Sequence, residues 1–241
     1  MSGPAAPRGP LAKLGRTLLF AIAAVFAVTL AWVAWVAAHI GWYRYYAPGE
    51  TAFMAERMTE ARAKNPKAVL RYRWVPYARI SANLKRAMVV AEDAKFAEHG
   101  GFDWDGIYAA LEKNRRKGQV VAGGSTITQQ LAKNLFLSPA RSYWRKGAEA
   151  VVTVLLEAIL PKRRILELYL NVIEWGNGVF GAEAAAQRYF GISAADLSAE
   201  QAARLAAMAP SPRLFERRPD SSYLSSRTAT ILARMPAAVI P

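Results

Sequence analysis

Residues 18–40 run for 23 positions without an acid, a lysine or an arginine. As one helix this stretch would extend roughly 35 Å at about 1.5 Å per residue, enough to cross a hydrocarbon core of roughly 30 Å. A chain carrying it must place it in a bilayer or wrap it on all sides with protein, and the bilayer is the better reading. Arg8, Lys13 and Arg16 precede the span and favour an inside N-terminus, while Trp42, Tyr43, Tyr45 and Tyr46 form an aromatic belt at the far headgroup level. Arg44 weakens that asymmetry only slightly, and Ala37-Ala38-His39 is the nearest approach to a signal-peptide cleavage site. The expected organisation is a disordered basic tail over 1–17 on the cytoplasmic side, an uncleaved transmembrane anchor over 18–40, and a domain over 47–241 outside the cytoplasm.

The 53% hydrophobic content of the 241 residues suits one folded domain plus the anchor. Without cysteine the chain has neither disulfides nor thiolate chemistry, and with only His39 and His99 it has no histidine-rich metal site. A net charge of +14 attracts polyanions, whether nucleic acid, anionic headgroups or diphosphates, and does not choose among them. Beyond the anchor the pattern is mainly α. Helices are expected over 48–64 with Thr51 as N-cap, over 81–97, from Trp104 to about Lys113 behind Asp103, over 141–160, over 165–171, over 182–190 closed by Gly191, up to Ala209 behind a Ser198/Gln201 capping box, and over 221–235. Residues 70–76 alternate like a short edge strand, and a glycine-rich turn occupies 175–181.

Within 91–103 four carboxylates, Lys95 and His99 crowd together. Apolar residues at helical spacing before it (Leu84, Ala87, Met88, Ala91) place Glu92 on a helix, where Met88, Val89 and Phe96 can cover its carboxylate and raise its pKa, opposed by Lys95. A carboxylate tuned upward makes a better general base. In the segment 123–134, Ser125 is the expected cap and Ile127, Leu131 and Leu135 a buried stripe. Thr126, Gln129, Gln130 and Lys133 are left on another face, suited to hydrogen-bonding a polar ligand. Further on, Arg141, Arg145 and Glu149 follow one another at i, i+4, i+8 with Lys146 adjacent. Two guanidiniums one turn apart become favourable when an anion bridges them. Gly147 inside that helix suggests close approach of another backbone or a ligand.

These segments together resemble the peptidoglycan glycosyltransferases, glycosyltransferase family 51, and among them the monofunctional biosynthetic transglycosylases. The family's E-D-x-x-F-x-x-H-x-G stands at 92–101, its G-x-S-T-I-T-Q-Q-L-x-K-N at 123–134, its R-K-x-x-E at 145–149, and its L-E-x-Y-L-N with a glycine-rich turn at 166–181. The departure is Ala209-Pro210-Ser211-Pro212, where the family often has Asn before the second proline.

The resemblance implies a lysozyme-like helical glycosyltransferase domain on the periplasmic face of the bacterial inner membrane, polymerising lipid II into β-1,4-linked glycan with release of undecaprenyl diphosphate. It implies Glu92 as the base, Glu149 as a second important carboxylate, and a clamp of Lys133, Arg141, Arg145 and Lys146 on the diphosphate. Asp93, Phe96, Ser125, Thr126, Gln129, Gln130 and Asn134 are implied in substrate binding. It requires no cofactor and admits a divalent cation, magnesium or manganese, with the substrate diphosphate. The implied partners are lipid II, the growing glycan strand and the membrane, with room for cell-wall synthesis or division proteins and none for nucleic acid. A lytic enzyme using Glu92 as an acid is the rival, and the cationic clamp argues against it. No Ser-x-x-Lys occurs, so no transpeptidase motif is present.

Overall fold

The computed structural model describes residues 10–119, 123–137 and 143–241. Helix α1 spans Pro10–Tyr43, so residues 10–17, expected to be disordered, continue the apolar helix toward its N-terminus. Residues 16–43 form the one helix, among the described residues, long and apolar enough to cross a membrane. Its large side chains from Leu14 to Trp35 are mostly exposed, whereas Val36 and Ile40 are fully buried against the domain. α2 (Ala52–Lys64) starts at Thr51, whose hydroxyl accepts from Met54 N.

α3 (Ala82–Glu92) is shorter than expected: it ends at Glu92, and turns occupy 94–100. The helix stops because the next side chain, that of Asp93, is spent outside it on His99 and on the N-terminus of another helix, α5. α4 (Trp104–Lys117) is capped by Asp103 and takes in the basic run before Gly118 closes it in a left-handed conformation. α5 (Ile127–Phe136) is capped by Thr126 rather than Ser125, with Gln129 completing a reciprocal capping box. α6 (Tyr143–Ile159) and α7 (Lys162–Val172) meet at Pro161. Among the described residues no other backbone approaches Gly147: a Cβ there would meet nothing within 4 Å.

The glycine-rich turn is a short hairpin, β2 (Glu174–Gly176) and β3 (Val179–Phe180). Gly178 supplies the positive φ of 72°, and a Cβ on it would lie 2.8 Å from Val69 O. β1 (Arg71–Tyr72) adds to β3 in parallel, giving the order β1-β3-β2. Asn171 fixes this region by pairing with both N and O of Val75 at 2.9 Å. α8 (Ala182–Phe190) ends at Gly191 as expected, and α9 (Ala199–Met208) starts at the Ser198/Gln201 box. A short α10 (Pro212–Arg217) precedes α11 (Ser222–Arg234).

Two packed groups result. α3, α9 and α11 form one, and α5, α6 and α7 the other, with α2 lying on α5 and α1 on α6. One continuous hydrophobic core joins them, centred on small-residue faces such as Ala202, Ala203, Ala206 and Ala207 of α9, which let the helices approach closely. The C-terminus of α3 therefore meets the first turns of α5 at the seam between the two groups.

Candidate active site

Glu92 stands at that seam. Gln130 on α5 donates its Nε2 to Glu92 Oε2 at 2.8 Å. Burial pushes the Glu92 carboxyl above its ordinary pKa, opposed by the Gln130 hydrogen bond and by the charges of Arg227 and Lys133. The direction is the one expected, but two of the agents differ. With the helix ending at Glu92, Phe96 is turned into the core, where Lys162 Nζ lies 4.5 Å from its ring centroid. Lys95 points away to pair with Asp105 at 3.0 Å.

The turns after Glu92 are pinned on three sides. Asp93 accepts from His99 Nε2 at 2.8 Å and from Ile127 N at 3.0 Å, and the second bond places its carboxylate at the positive end of α5. His99 Nδ1 accepts from Gly101 N at 3.1 Å, so a neutral His99 must carry its proton on Nε2. Gly101 O accepts from Thr126 Oγ1 at 2.7 Å. Beneath, Lys162 donates to His99 O at 2.5 Å and to Glu157 at 2.9 Å, and Thr128 donates to the same Glu157 oxygen at 2.5 Å. Glu98 is exposed, outside this network.

Two cavities open beside Glu92. The larger, about 470 Å³, is lined by Phe53 and Arg57 of α2, by Gln129, Gln130 and Lys133 of α5, by Arg145, Lys146 and Glu149 of α6, and by Glu92, Ser125, Ala209 and Pro210. The smaller, about 170 Å³, is lined by residues 90–94, Asp103, Gly106 and residues 123–126. Glu92 and Ser125 line both.

The larger cavity is strongly cationic. Glu149, 4% exposed, accepts from Arg145 Nη1 at 3.1 Å and from Lys146 Nζ. Burial pushes Lys133 below its ordinary pKa, and Arg145, Arg57 and Lys146 push the same way while Glu149 opposes them. An anion entering here would relieve that repulsion. Among the described residues no three His, Asp or Glu gather to hold an ion.

The expected site residues divide accordingly. Glu92, Ser125, Gln129, Gln130, Lys133, Arg145, Lys146 and Glu149 come together around the larger cavity, and Asp93 and Thr126 line the smaller. Phe96 and Asn134 are buried and line neither, and Arg141 lies outside the described residues. Sequence reasoning missed Arg57, Phe53 and Arg227. The Phe53 ring lies under both Arg57, at 5.0 Å, and Lys133, at 5.6 Å. Arg57 is held by Glu60 at 2.9 Å and Glu174 at 3.4 Å. Its i,i+3 spacing to Glu60 is the only local signal, and that is ordinary for a surface helix.

A part-buried carboxylate with a raised pKa thus stands between two cavities, one of them walled by cations, in a helical domain joined to an apolar helix. The transglycosylase family profile matches residues 59–236, and the chain belongs to that family. It is 60% identical over 205 residues to the biosynthetic peptidoglycan transglycosylase of Dechloromonas aromatica, covering 84% of this chain and 89% of the relative. It is 53% identical over 228 residues to the protein of that description from Chromobacterium violaceum, covering 95% of this chain and 100% of the relative. The corresponding Azoarcus protein is 56% identical over 228 residues, covering 95% and 96%.

Proposed function

We propose that this enzyme is a peptidoglycan glycosyltransferase that polymerises lipid II, acting as an inverting transferase with Glu92 as its general base. The observation that carries the reading is the position of Glu92 on the shared wall of the two cavities, one cationic and one not. The donor's diphosphate occupies the cationic cavity and the acceptor sugar approaches from the smaller one. Glu92 takes the proton of the acceptor 4-hydroxyl as that oxygen forms its bond to C1 of the donor sugar. The C1–oxygen bond to the diphosphate breaks with its electron pair, and attack from the opposite side inverts C1 to give the β-1,4 linkage.

The leaving group needs charge stabilisation more than protonation, and Lys133, Arg145 and Lys146 supply it at fixed positions. Glu149 orients two of these cations and is a positioning residue in this scheme. α1 is the anchor, with the N-terminus cytoplasmic and the domain on the periplasmic side of the inner membrane, where a lipid-linked substrate arrives at headgroup level.

The test is polymerisation of purified lipid II in detergent. Wild type should produce glycan, and Glu92→Gln should lose about 10²- to 10⁴-fold of the rate, the usual contribution of a positioned base. Polymerisation by Glu92→Gln at the wild-type rate removes the base assignment. Cleavage of preformed glycan without synthesis removes the transferase reading. Lys133→Ala should bind a diphosphate lipid more weakly, and unchanged affinity would take Lys133 out of the diphosphate site.

A further inference from the structure

Behind the hydrogen bond that reaches Glu92 lies a second one. Tyr169 of α7 is fully buried, and its hydroxyl lies 3.1 Å from Gln130 Oε1. The same Gln130 turns its Nε2 to Glu92. A primary amide has one accepting end and one donating end, so the two contacts cannot be chosen independently. With Oε1 toward Tyr169, the phenol donates, the amide NH₂ faces Glu92, and every group is satisfied. With the amide turned over, Oε1 would face a carboxylate oxygen, an arrangement that is acceptable only if Glu92 carries a proton. The phenol would then have to accept, leaving its own buried O–H without a partner.

We infer that Tyr169 is a positioning residue for the transfer reaction: by donating to Gln130 it fixes the amide so that an NH₂ always faces Glu92, which keeps the carboxylate ionised and aimed. This rests on the reading of Glu92 as the base. Tyr169 keeps its proton, since burial and the neighbouring Glu92 and Asp93 hold its pKa well above the ordinary phenol value. The other charges acting on Glu92 are Lys133 from α5, Arg227 from α11 and the adjacent Asp93. Arg227 donates to Ala91 O at 3.3 Å, so Gln130 is the only side chain hydrogen-bonded to the Glu92 carboxylate among the described residues.

The experiment is the pH profile of kcat for lipid II polymerisation in wild type, Tyr169→Phe, Gln130→Leu and the double variant. Gln130→Leu, which loses the hydrogen bond to the carboxylate itself, should move the acidic limb upward by about one pH unit, and Tyr169→Phe, which loses only the fixed orientation of the amide, should move it the same way by less, with KM changed less than twofold. Adding Tyr169→Phe to Gln130→Leu should move it no further, because the phenol acts only through the amide. An unmoved limb in Tyr169→Phe, or shifts that add in the double variant, overturns the inference. Melting temperatures of all four proteins separate a folding defect from this effect, since instability lowers the amount of active enzyme without moving the limb. If Glu92→Gln polymerises at the wild-type rate, the base reading itself has failed, and that outcome is distinct from an unmoved limb in an enzyme that does depend on Glu92.

Discussion

Glu92 illustrates at the scale of one residue how a site is held in a state that folding alone would not choose. Burial raises its pKa above the value of about 4.3 for an exposed carboxyl. Its contribution to stability is therefore fully present below the unfolded pKa and is lost as pH rises through the folded one, where ionisation in a desolvated place has to be accommodated. Glu92→Gln cannot ionise and escapes that loss, while keeping an acceptor for Gln130. The variant should melt with wild type in acid and above it at neutral pH, by roughly 2–4 °C for about 1 kcal/mol in a protein of this size. Scanning calorimetry at the two pH values checks this. Equal melting temperatures at neutral pH would mean that Gln130, Arg227 and Lys133 offset the burial completely.

At the scale of elements, the N-terminus of α5 gathers the site. Thr126 caps the helix and also donates to Gly101 O, Ile127 N holds Asp93, and Gln130 one turn on holds Glu92. Thr126→Val removes the cap and leaves Gly101 O buried without its donor, at a cost of about 1–3 kcal/mol. Both melting temperature and polymerisation should fall, because the turn bearing Asp93 and His99 loses its support. Gly101 is constrained from the other side: its φ of 95° is left-handed, and a Cβ would lie 2.8 Å from Thr153 Cγ2. Gly101→Ala should therefore destabilise more than a surface Gly→Ala substitution, and denaturant titration measures the difference. Most of these helices were legible in the sequence, since caps at Thr51, Asp103 and Ser198 and apolar spacing are local signals. The end of α3 was not, because Asp93 is drawn out of the helix by partners remote in sequence, His99 and Ile127. Gln129 and Gln130 read as twin ligand amides, yet neighbouring side chains on a helix point about 100° apart. One is used in a cap and the other reaches the carboxylate. Arg57 and Arg227 join the site only through the packing of α2 and α11, for which no local pattern exists.

For the whole molecule, the apolar helix α1 is packed into the folded domain at its C-terminal end. Val36 and Ile40 of α1 belong to the common core, and Phe136 of α5 meets Trp35 and Tyr43 at ring separations of 6.2 and 6.0 Å. Arg44 donates to Ile159 O at 2.9 Å, and Arg164 donates to the carbonyls of Tyr43 and Tyr46 at 2.7 Å each while pairing with Glu167 at 2.6 Å. These contacts set the height and tilt of the domain relative to α1, and under the proposed reading of α1 as a membrane anchor they hold the two cavities at a fixed distance from the bilayer. Truncation separates docking from anchoring. Removing residues 1–31 takes away most of the exposed apolar helix and leaves every one of these contacts. Removing residues 1–46 uncovers the core beneath Val36 and Ile40, each worth about 1.5–3 kcal/mol when buried, and strips Arg164 of two acceptors. In the same detergent the shorter truncation should melt near the full chain, and the longer one lower by on the order of 10 °C. If the two truncations melt together, α1 is joined to the domain by its chain alone, and the fixed height of the site above the membrane goes with it.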